Sequence, residues 1–191
     1  MCLRCLLVVV WICLPLAAQA QDPDAGWRAV SQSLPEEMLK KIRKSPDRFM
    51  EDAAELILGF GLERGIDADG IEDAIMVLRA RVRAREMRRM LLADLDNDGT
   101  VTRAEISVLI PTEAAGRRAR VMLDHMWADL DQDGRLTFAE LRAHADAVAL
   151  EAFSEKEAER LRGFIQFDLD GNGRVALDEI DTVVRELRRG A

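Results

Sequence analysis

The fold of this chain is decided by a twelve-residue stretch, DLDNDGTVTRAE, at residues 94–105. The same pattern recurs as DLDQDGRLTFAE at residues 129–140 and as DLDGNGRVALDE at residues 168–179. Positions 1, 3 and 5 carry oxygen-bearing side chains, position 6 is glycine, position 8 is apolar and position 12 is glutamate. We call these stretches the first, second and third loops. Segments with helical spacing of apolar residues flank each loop, so the repeating unit is predicted to be helix, loop, helix.

The spacing of the oxygen-bearing residues favours calcium as a bound ion. Ca²⁺ takes six to eight oxygen ligands at about 2.3 to 2.6 Å, and one short loop can wrap them around it. Glycine at position 6 permits the positive φ of the sharp turn, and position 7 offers its backbone carbonyl. Mg²⁺ fits less well, because it demands an octahedron at about 2.0 to 2.1 Å and keeps its waters. The predicted ligands are Asp94, Asp96, Asp98, Thr100 and Glu105; Asp129, Asp131, Asp133, Arg135 and Glu140; and Asp168, Asp170, Asn172, Arg174 and Glu179.

These loops resemble those of the EF-hand family, well over residues 80–190 and faintly over residues 45–80. The resemblance implies an all-α fold of helix-loop-helix units. It also implies that loops pair through a short two-stranded bridge at position 8, where the three loops have Val101, Leu136 and Val175. Ca²⁺ is the ion that the resemblance implies.

A fourth, degenerate unit is predicted upstream of the first loop. Asp94 and Asp129 are 35 residues apart, and the same step back from Asp94 reaches Gly59. A loop from Gly59 to Gly70, called here the Gly59 loop, would place Ile66 at position 8. Its ligand positions hold Gly59, Gly61, Glu63 and Gly70, so it lacks the side chains to hold an ion. The nearby Asp67-Ala-Asp-Gly segment lacks the distal carboxylate as well, since Met76 stands in its place.

The spacing leaves the pairing of the four loops open. If loops pair in sequence order, the Gly59 loop pairs with the first loop and the second with the third. In the alternative, the first and second loops pair, and the third pairs weakly or with another chain. The predicted units are a leader and short helix at 21–45, the degenerate unit at 46–80, and three hands at 81–115, 116–150 and 154–190.

The first twenty residues have the pattern of a secretory signal peptide. A basic residue, Arg4, precedes the apolar stretch Leu6–Leu16, and Ala18-Gln19-Ala20 supplies the small residues at which signal peptidase cuts. The apolar stretch is too short for a membrane span, which needs roughly 20 residues. We therefore expect cleavage after Ala20 and a periplasmic or secreted location. The few lysines among many arginines, together with this cleavage pattern, favour a bacterial source.

Composition excludes several classes of function. Without residues 1–20 the chain has 35 acidic and 26 basic residues, a charge near −9, which disfavours nucleic acid as a partner. All its cysteines lie in the first twenty residues, so the remainder has no disulfide to stabilise it. With two histidines and no such cysteine, a zinc site is not expected. No nucleophile motif or phosphate-binding loop occurs, so the protein is predicted not to be an enzyme.

Local signals predict the flanking helices. We expect a mobile leader at Gln21–Gly26, followed by helices over Pro35–Lys44, Pro46–Gly59 and Ile71–Ala93. Ser45, Thr112 and Ser154 are predicted N-caps, and Ser154 with Glu157 fits a capping box. The arginine-rich segment of the long helix spreads around the helix, and we interpret it as a solvated surface that pairs with acidic neighbours.

Three functions remain open. The first is an exported calcium-stabilised structure or ion store. The second is a sensor that presents an apolar groove to a protein partner, for which Met87, Met90, Met122 and Met126 are candidates, although methionines also fill cores. The third is an accessory subunit of an extracellular enzyme or surface assembly. Among the sites, the third loop is predicted to bind Ca²⁺ weakest, because it offers three carboxylates and has Ala176 at position 9.

Overall fold

The computed structural model describes residues 25–61 and 64–189. The predicted signal peptide, its cleavage site and Glu63 lie outside these residues. The helices in the described part are Ala25–Ser33 (α1), Glu36–Lys44 (α2), Pro46–Leu56 (α3), Ala68–Leu91 (α4), Arg103–Leu109 (α5), Ala115–Ala128 (α6), Phe138–Ala152 (α7), Glu155–Arg162 (α8) and Leu177–Arg189 (α9). The strands described are Val101–Thr102 (β1) and Arg135–Leu136 (β2). The prediction of an all-α EF-hand fold is confirmed.

The loops pair in a nested order. Strands β1 and β2 are antiparallel, with Val101 opposite Leu136, so the first and second loops form an inner pair. The third loop pairs with the Gly59 loop through a bridge between Ile66 and Val175, which makes an outer pair. Pairing in sequence order, one of the two alternatives that the spacing left open, is therefore wrong. The other alternative, in which the first and second loops pair, is confirmed for the inner pair. The third loop pairs with the Gly59 loop rather than weakly or with another chain.

Each pair of loops has its own apolar core. Val101, Ile106, Leu136 and Leu141 are buried in the core of the inner pair. The core of the outer pair is larger, because α1, α2 and α3 add side chains to it and pack on α9. Helix α4 belongs to both pairs: it leaves the Gly59 loop at its N-terminus and enters the first loop at its C-terminus. It packs most extensively against α7.

The first helix was not predicted. Ala25 and Gly26, assigned to a mobile leader, are the first residues of α1. The helix is held in place because Val30, together with Leu34 just after its end, is buried in the outer core, and Trp27 packs against that core. The expected N-terminal extension is thus longer by one helix in the described part of the chain.

Several predicted helix ends differ from the structure. The α-helical hydrogen bonding of α3 ends at Leu56 rather than at the predicted Gly59, and a single π-helical turn, Ile57–Gly61, follows it. Helix α4 begins before Ile71, because Asp67 caps it by accepting a hydrogen bond from the Gly70 N–H at 2.9 Å. It ends at Leu91 rather than at Ala93.

Two of the three predicted N-caps do not act through their side chains. Ser45 precedes α3 but makes no capping hydrogen bond through its hydroxyl. Thr112 ends a 3₁₀ turn, and Ala114 takes the N-cap position of α6. Ser154 caps α8, but only half of the expected box forms, because the Glu157 carboxylate accepts from Arg160 instead.

The arginine-rich segment of α4 pairs with acidic neighbours, as predicted. Arg79 lies 3.0 Å from Glu155 and Arg83 lies 3.0 Å from Asp146, which ties α4 to α8 and α7. Arg89 lies between two buried carboxylates, 2.5 Å from Glu86 and 2.8 Å from Asp124 of α6. These pairs fix neighbouring helices to α4, so part of the segment is structural rather than merely solvated. Among the described residues, no helix is long and apolar enough to span a membrane.

Candidate metal centres

The structure brings three carboxylates together in each of the three predicted loops. In each group, one oxygen from positions 1, 3 and 12 lies within 4.8 Å of the others. The groups are Asp94, Asp96 and Glu105; Asp129, Asp131 and Glu140; and Asp168, Asp170 and Glu179. Three anionic oxygens at this separation repel one another unless a cation lies between them. Oxygen donors alone, with no nitrogen or sulfur, match the preference of a hard cation such as Ca²⁺.

Each loop turns in the same way. The N–H of the glycine at position 6 donates to the carboxylate at position 1, at 3.1 Å in the first loop, 3.0 Å in the second and 2.8 Å in the third. These glycines, Gly99, Gly134 and Gly173, have φ between 82° and 84°, a conformation that glycine adopts without strain. The turn wraps the backbone around the carboxylate at position 1.

Asp129 carries an orphaned oxygen. Its side chain is buried, and its Oδ1 has no hydrogen-bond partner among the residues that the structure describes. A buried carboxylate oxygen without a donor is unfavourable, whereas a bound cation would satisfy it. The oxygen set and this orphaned atom both fit a divalent cation in the second loop.

The glutamate at position 12 closes each loop. Leu95 N–H donates to Glu105 Oε1 at 2.8 Å, and Thr102 donates to Glu105 Oε2 through its backbone and its hydroxyl, both at 2.7 Å. In return, the Thr102 hydroxyl accepts from the Glu105 N–H, which completes a capping box at the start of α5. Donation from the Thr102 backbone, then from its hydroxyl, lowers the pKa of Glu105 to about 2. The carboxylate is therefore ionised at neutral pH, the form that a cation requires.

The second loop repeats this arrangement. Thr137 donates to Glu140 through its backbone at 2.9 Å and its hydroxyl at 2.8 Å, in a second capping box. Donation from the Thr137 backbone, then from its hydroxyl, lowers the pKa of Glu140. The third loop differs at this point, because Ala176 at position 9 has no hydroxyl. Glu179 is held there by backbone donors, Ala176 N–H at 2.8 Å and Leu169 N–H at 2.7 Å.

Position 5 interacts both with position 7 and with the oxygen group, because its backbone N–H donates to the carboxylate at position 3 in each loop. Asp98, Asp133 and Asn172 each accept from the N–H of position 7, at 2.7 to 2.8 Å. Asp98 also accepts from the Thr100 hydroxyl, and this bond is the largest cause of its lowered pKa. Asp98 and Asp133 stand outside the groups of close oxygens. That position 7, Thr100, Arg135 or Arg174, acts through its carbonyl stays a prediction.

The Gly59 loop is collapsed where the described residues trace it. A side chain at Gly61, position 3 of this loop, would meet the backbone nitrogen of Ile66 at 2.5 Å, so the described part of the loop leaves no room for a ligand side chain there. The loop keeps its position 8 contact: Ile66 N–H donates to Val175 O at 2.9 Å, and Val175 N–H donates to Ile66 O at 2.8 Å. Its part in the fold is to pair with the third loop.

Sequence reasoning missed two features of these loops. The sequences Thr102-Arg-Ala-Glu105 and Thr137-Phe-Ala-Glu140 carry the capping-box signal, which the sequence analysis does not use. The side chains of Arg135 and Arg174 reach across to the partner loops, and no sequence signal marks that contact.

Comparison with known proteins agrees with this geometry. A family model described as EF hand matches residues 128–143 and 161–184, which contain the whole second and third loops. No curated protein and no solved structure matches the chain.

Proposed function

We propose that this chain, which belongs to the EF-hand family of calcium-binding proteins, binds three Ca²⁺ ions outside the cytoplasm, where they stabilise its structure or are stored. The observation that carries the proposal is the triple recurrence of one oxygen group, built from positions 1, 3 and 12 of the three loops. The residues proposed to hold the ions are the fifteen predicted from the sequence, with position 7 acting through its carbonyl. Three ions would change the charge of residues 21–191 from near −9 to near −3.

A calcium titration by calorimetry tests the proposal. We expect three sites in the wild-type protein and two in each of the variants Glu105→Gln, Glu140→Gln and Glu179→Gln. Each substitution keeps the size of the side chain but removes the charge and one of the two oxygens that position 12 supplies. Arg103→Gln, on the exposed surface of α5, is the matched control and should keep three sites. No calcium binding by the wild-type protein would contradict the proposal.

The same variants rank the sites. The third loop has three carboxylates at the ligand positions where the first and second loops have four. Its glutamate also lacks the hydroxyl donor that orients Glu105 and Glu140. We therefore expect the third site to be the weakest, so that Glu179→Gln removes the last phase of the titration. Loss of the earliest phase in that variant would show the ranking to be wrong.

Export is part of the proposal and rests on residues 4–20. The basic residue, apolar stretch and small residues there are what signal peptidase recognises. Expression of the full chain in a bacterium, followed by mass analysis of the product outside the cytoplasm, should give a chain that begins at Gln21. Millimolar calcium outside the cytoplasm would keep even modest sites filled. A product retained in the cytoplasm with Met1 intact would contradict export.

A second candidate function is a sensor with a protein partner. The outward face of α6 is apolar over Met122, Leu123, Met126 and Trp127, and Trp127 is 63% exposed. Met87 and Met90, also candidates for a groove, pack instead into the inner core. A sensor requires that calcium change the exposure of such a surface. An apolar dye should then gain fluorescence on calcium addition, and less so in Trp127→Ala; a dye signal that calcium leaves unchanged would exclude this function.

A further inference from the structure

An arginine side chain lies on the Gly59 loop at two of the positions where an intact loop would bind an ion. Arg174 Nη1 donates to the Gly65 carbonyl at 3.2 Å, and its Nη2 donates to Asp67 Oδ2 at 2.5 Å. Gly65 is position 7 of the Gly59 loop and Asp67 is position 9. Position 7 supplies a backbone carbonyl in an intact loop, and position 9 a side chain or a water. The guanidinium therefore contacts the groups that would face a cation.

The backbone of the Gly59 loop is shaped to bring these groups to Arg174. Gly65 has a φ of 80°, and a side chain there would meet the Val175 carbonyl at 2.6 Å. Asp67 divides its carboxylate between two tasks: Oδ1 caps α4 through the Gly70 N–H, and Oδ2 accepts from Arg174. Ile66, between these two residues, makes both hydrogen bonds of the bridge to Val175. Arg174 and its neighbour Val175 thus bind three consecutive residues of the Gly59 loop, Gly65 to Asp67, to the third loop.

The inner pair has an arginine at the same place with a different target. Arg135 is position 7 of the second loop, and it reaches across to the first loop, 3.4 Å from Thr100 Oγ1 and 3.7 Å from Asp98 Oδ2. Asp98 belongs to an intact loop, where a bound ion would compete with the guanidinium for the carboxylate. Asp67 belongs to the Gly59 loop, which has glycine at positions 1, 3 and 12 and so lacks the carboxylates that would hold a competing ion.

We infer that the guanidinium of Arg174 takes the place of a bound cation in the Gly59 loop. It thereby keeps that loop paired with the third loop without calcium in the Gly59 loop. A planar guanidinium can satisfy a carbonyl and a carboxylate together, which an ammonium group does less well. The outer pair would then keep its bridge when calcium is removed, whereas the inner pair faces its own ionised carboxylates in both loops. The contrast with the inner pair rests on the proposed function; the role of Arg174 does not.

The test is amide hydrogen exchange on the whole protein in excess chelator, followed at Ile66 and Val175, whose N–H groups form the bridge. In Arg174→Met we expect exchange at both amides to accelerate roughly two- to fivefold, the range for one partly exposed ion pair. The Leu141 amide, bonded to Thr137 O in α7, should keep its wild-type rate. Because no calcium is present, a failure of calcium binding would leave this result unaffected.

Three further variants distinguish the contact that Arg174 makes with two groups at once from the effect of its positive charge alone. Arg174→Lys keeps the charge and should restore only part of the protection. Asp67→Asn keeps an oxygen that can cap α4 and removes the anion, so its effect should be smaller when Arg174 is already methionine. Arg135→Met should leave both amides at the wild-type rate. Wild-type exchange at Ile66 and Val175 in Arg174→Met, or full protection in Arg174→Lys, would overturn the inference.

Discussion

Removal of calcium is expected to lower the free energy of unfolding by about 2.7 kcal/mol for each site that was held at a hundredfold excess of ion over its Kd. An ion that binds the folded loop and not the unfolded chain stabilises the fold by mass action. Without ions, each of the three groups holds three carboxylate oxygens within 4.8 Å of one another, and the repulsion within each group opposes the fold. All the cysteines lie in residues 1–20, so no disulfide in the rest of the chain can compensate.

The measurement is denaturant unfolding in saturating calcium and in excess chelator, at one ionic strength. Magnesium at the same concentration is the ion control, and it should restore little of the stability because it dehydrates reluctantly. The variant Glu105→Gln/Glu140→Gln should lose the contribution of the inner pair and keep that of the third loop. Superimposed unfolding curves in calcium and in chelator would contradict both this prediction and a structural role for the ion.

The sequence was sufficient to predict which carboxylates of each loop come together at positions 1, 3 and 12. Asp94, Asp96 and Glu105 come together as expected because their spacing is fixed within one short turn of the backbone. Ile66 was assigned to position 8 from a repeat length alone, and it forms a bridge as position 8 should. The place of a residue within a loop depends only on residues near it in the sequence, so it can be read from the sequence alone.

Features that depend on distant segments could not be predicted in the same way. Every loop has an apolar residue at position 8, so Val101 could pair with Ile66 or with Leu136 on local grounds. The nested order follows from tertiary packing: α4 lies along α7, and α1 to α3 pack on α9 beside the third loop. The contact of Arg174 with Asp67 joins residues 107 apart and depends on that order. Helix α1 was not predicted for the same reason. It has few apolar residues, and they stabilise the helix only by packing against the outer core.

The residue just before each loop shows how differently the two cores are built. Ala93 and Ala128 precede the first and second loops, and both are buried. The inner core contains a small cavity of about 20 Å³, whose lining includes Ala93, Val101 and Leu136. Phe167 precedes the third loop and is fully buried in the outer core. The outer pair therefore depends on one large side chain at a place where the inner pair uses alanine.

Phe167→Ala is expected to destabilise the protein by about 3 to 5 kcal/mol, the range for truncating a buried phenylalanine to alanine. The ring centroid of Phe167 lies 5.9 Å from that of Phe49 in α3 and 5.8 Å from that of Phe164, and Phe49 stacks on Phe164 at 5.5 Å. Truncation removes two aromatic contacts and leaves a cavity between α3 and the segment that enters the third loop. Because Asp168 follows directly, we expect calcium affinity at the third loop to fall with the loss of packing.

The matched control is Phe138→Ala. Phe138 lies at position 10 of the second loop, where α7 begins, and it is 57% exposed, so its truncation should change stability by about 0.5 kcal/mol or less. Both variants are compared by denaturant unfolding in saturating calcium and again in chelator. If the outer pair is held by its apolar core and by Arg174, Phe167→Ala should cost about as much in chelator as in calcium. A cost for Phe167→Ala no larger than that for Phe138→Ala would show that the aromatic cluster does not hold the outer pair together.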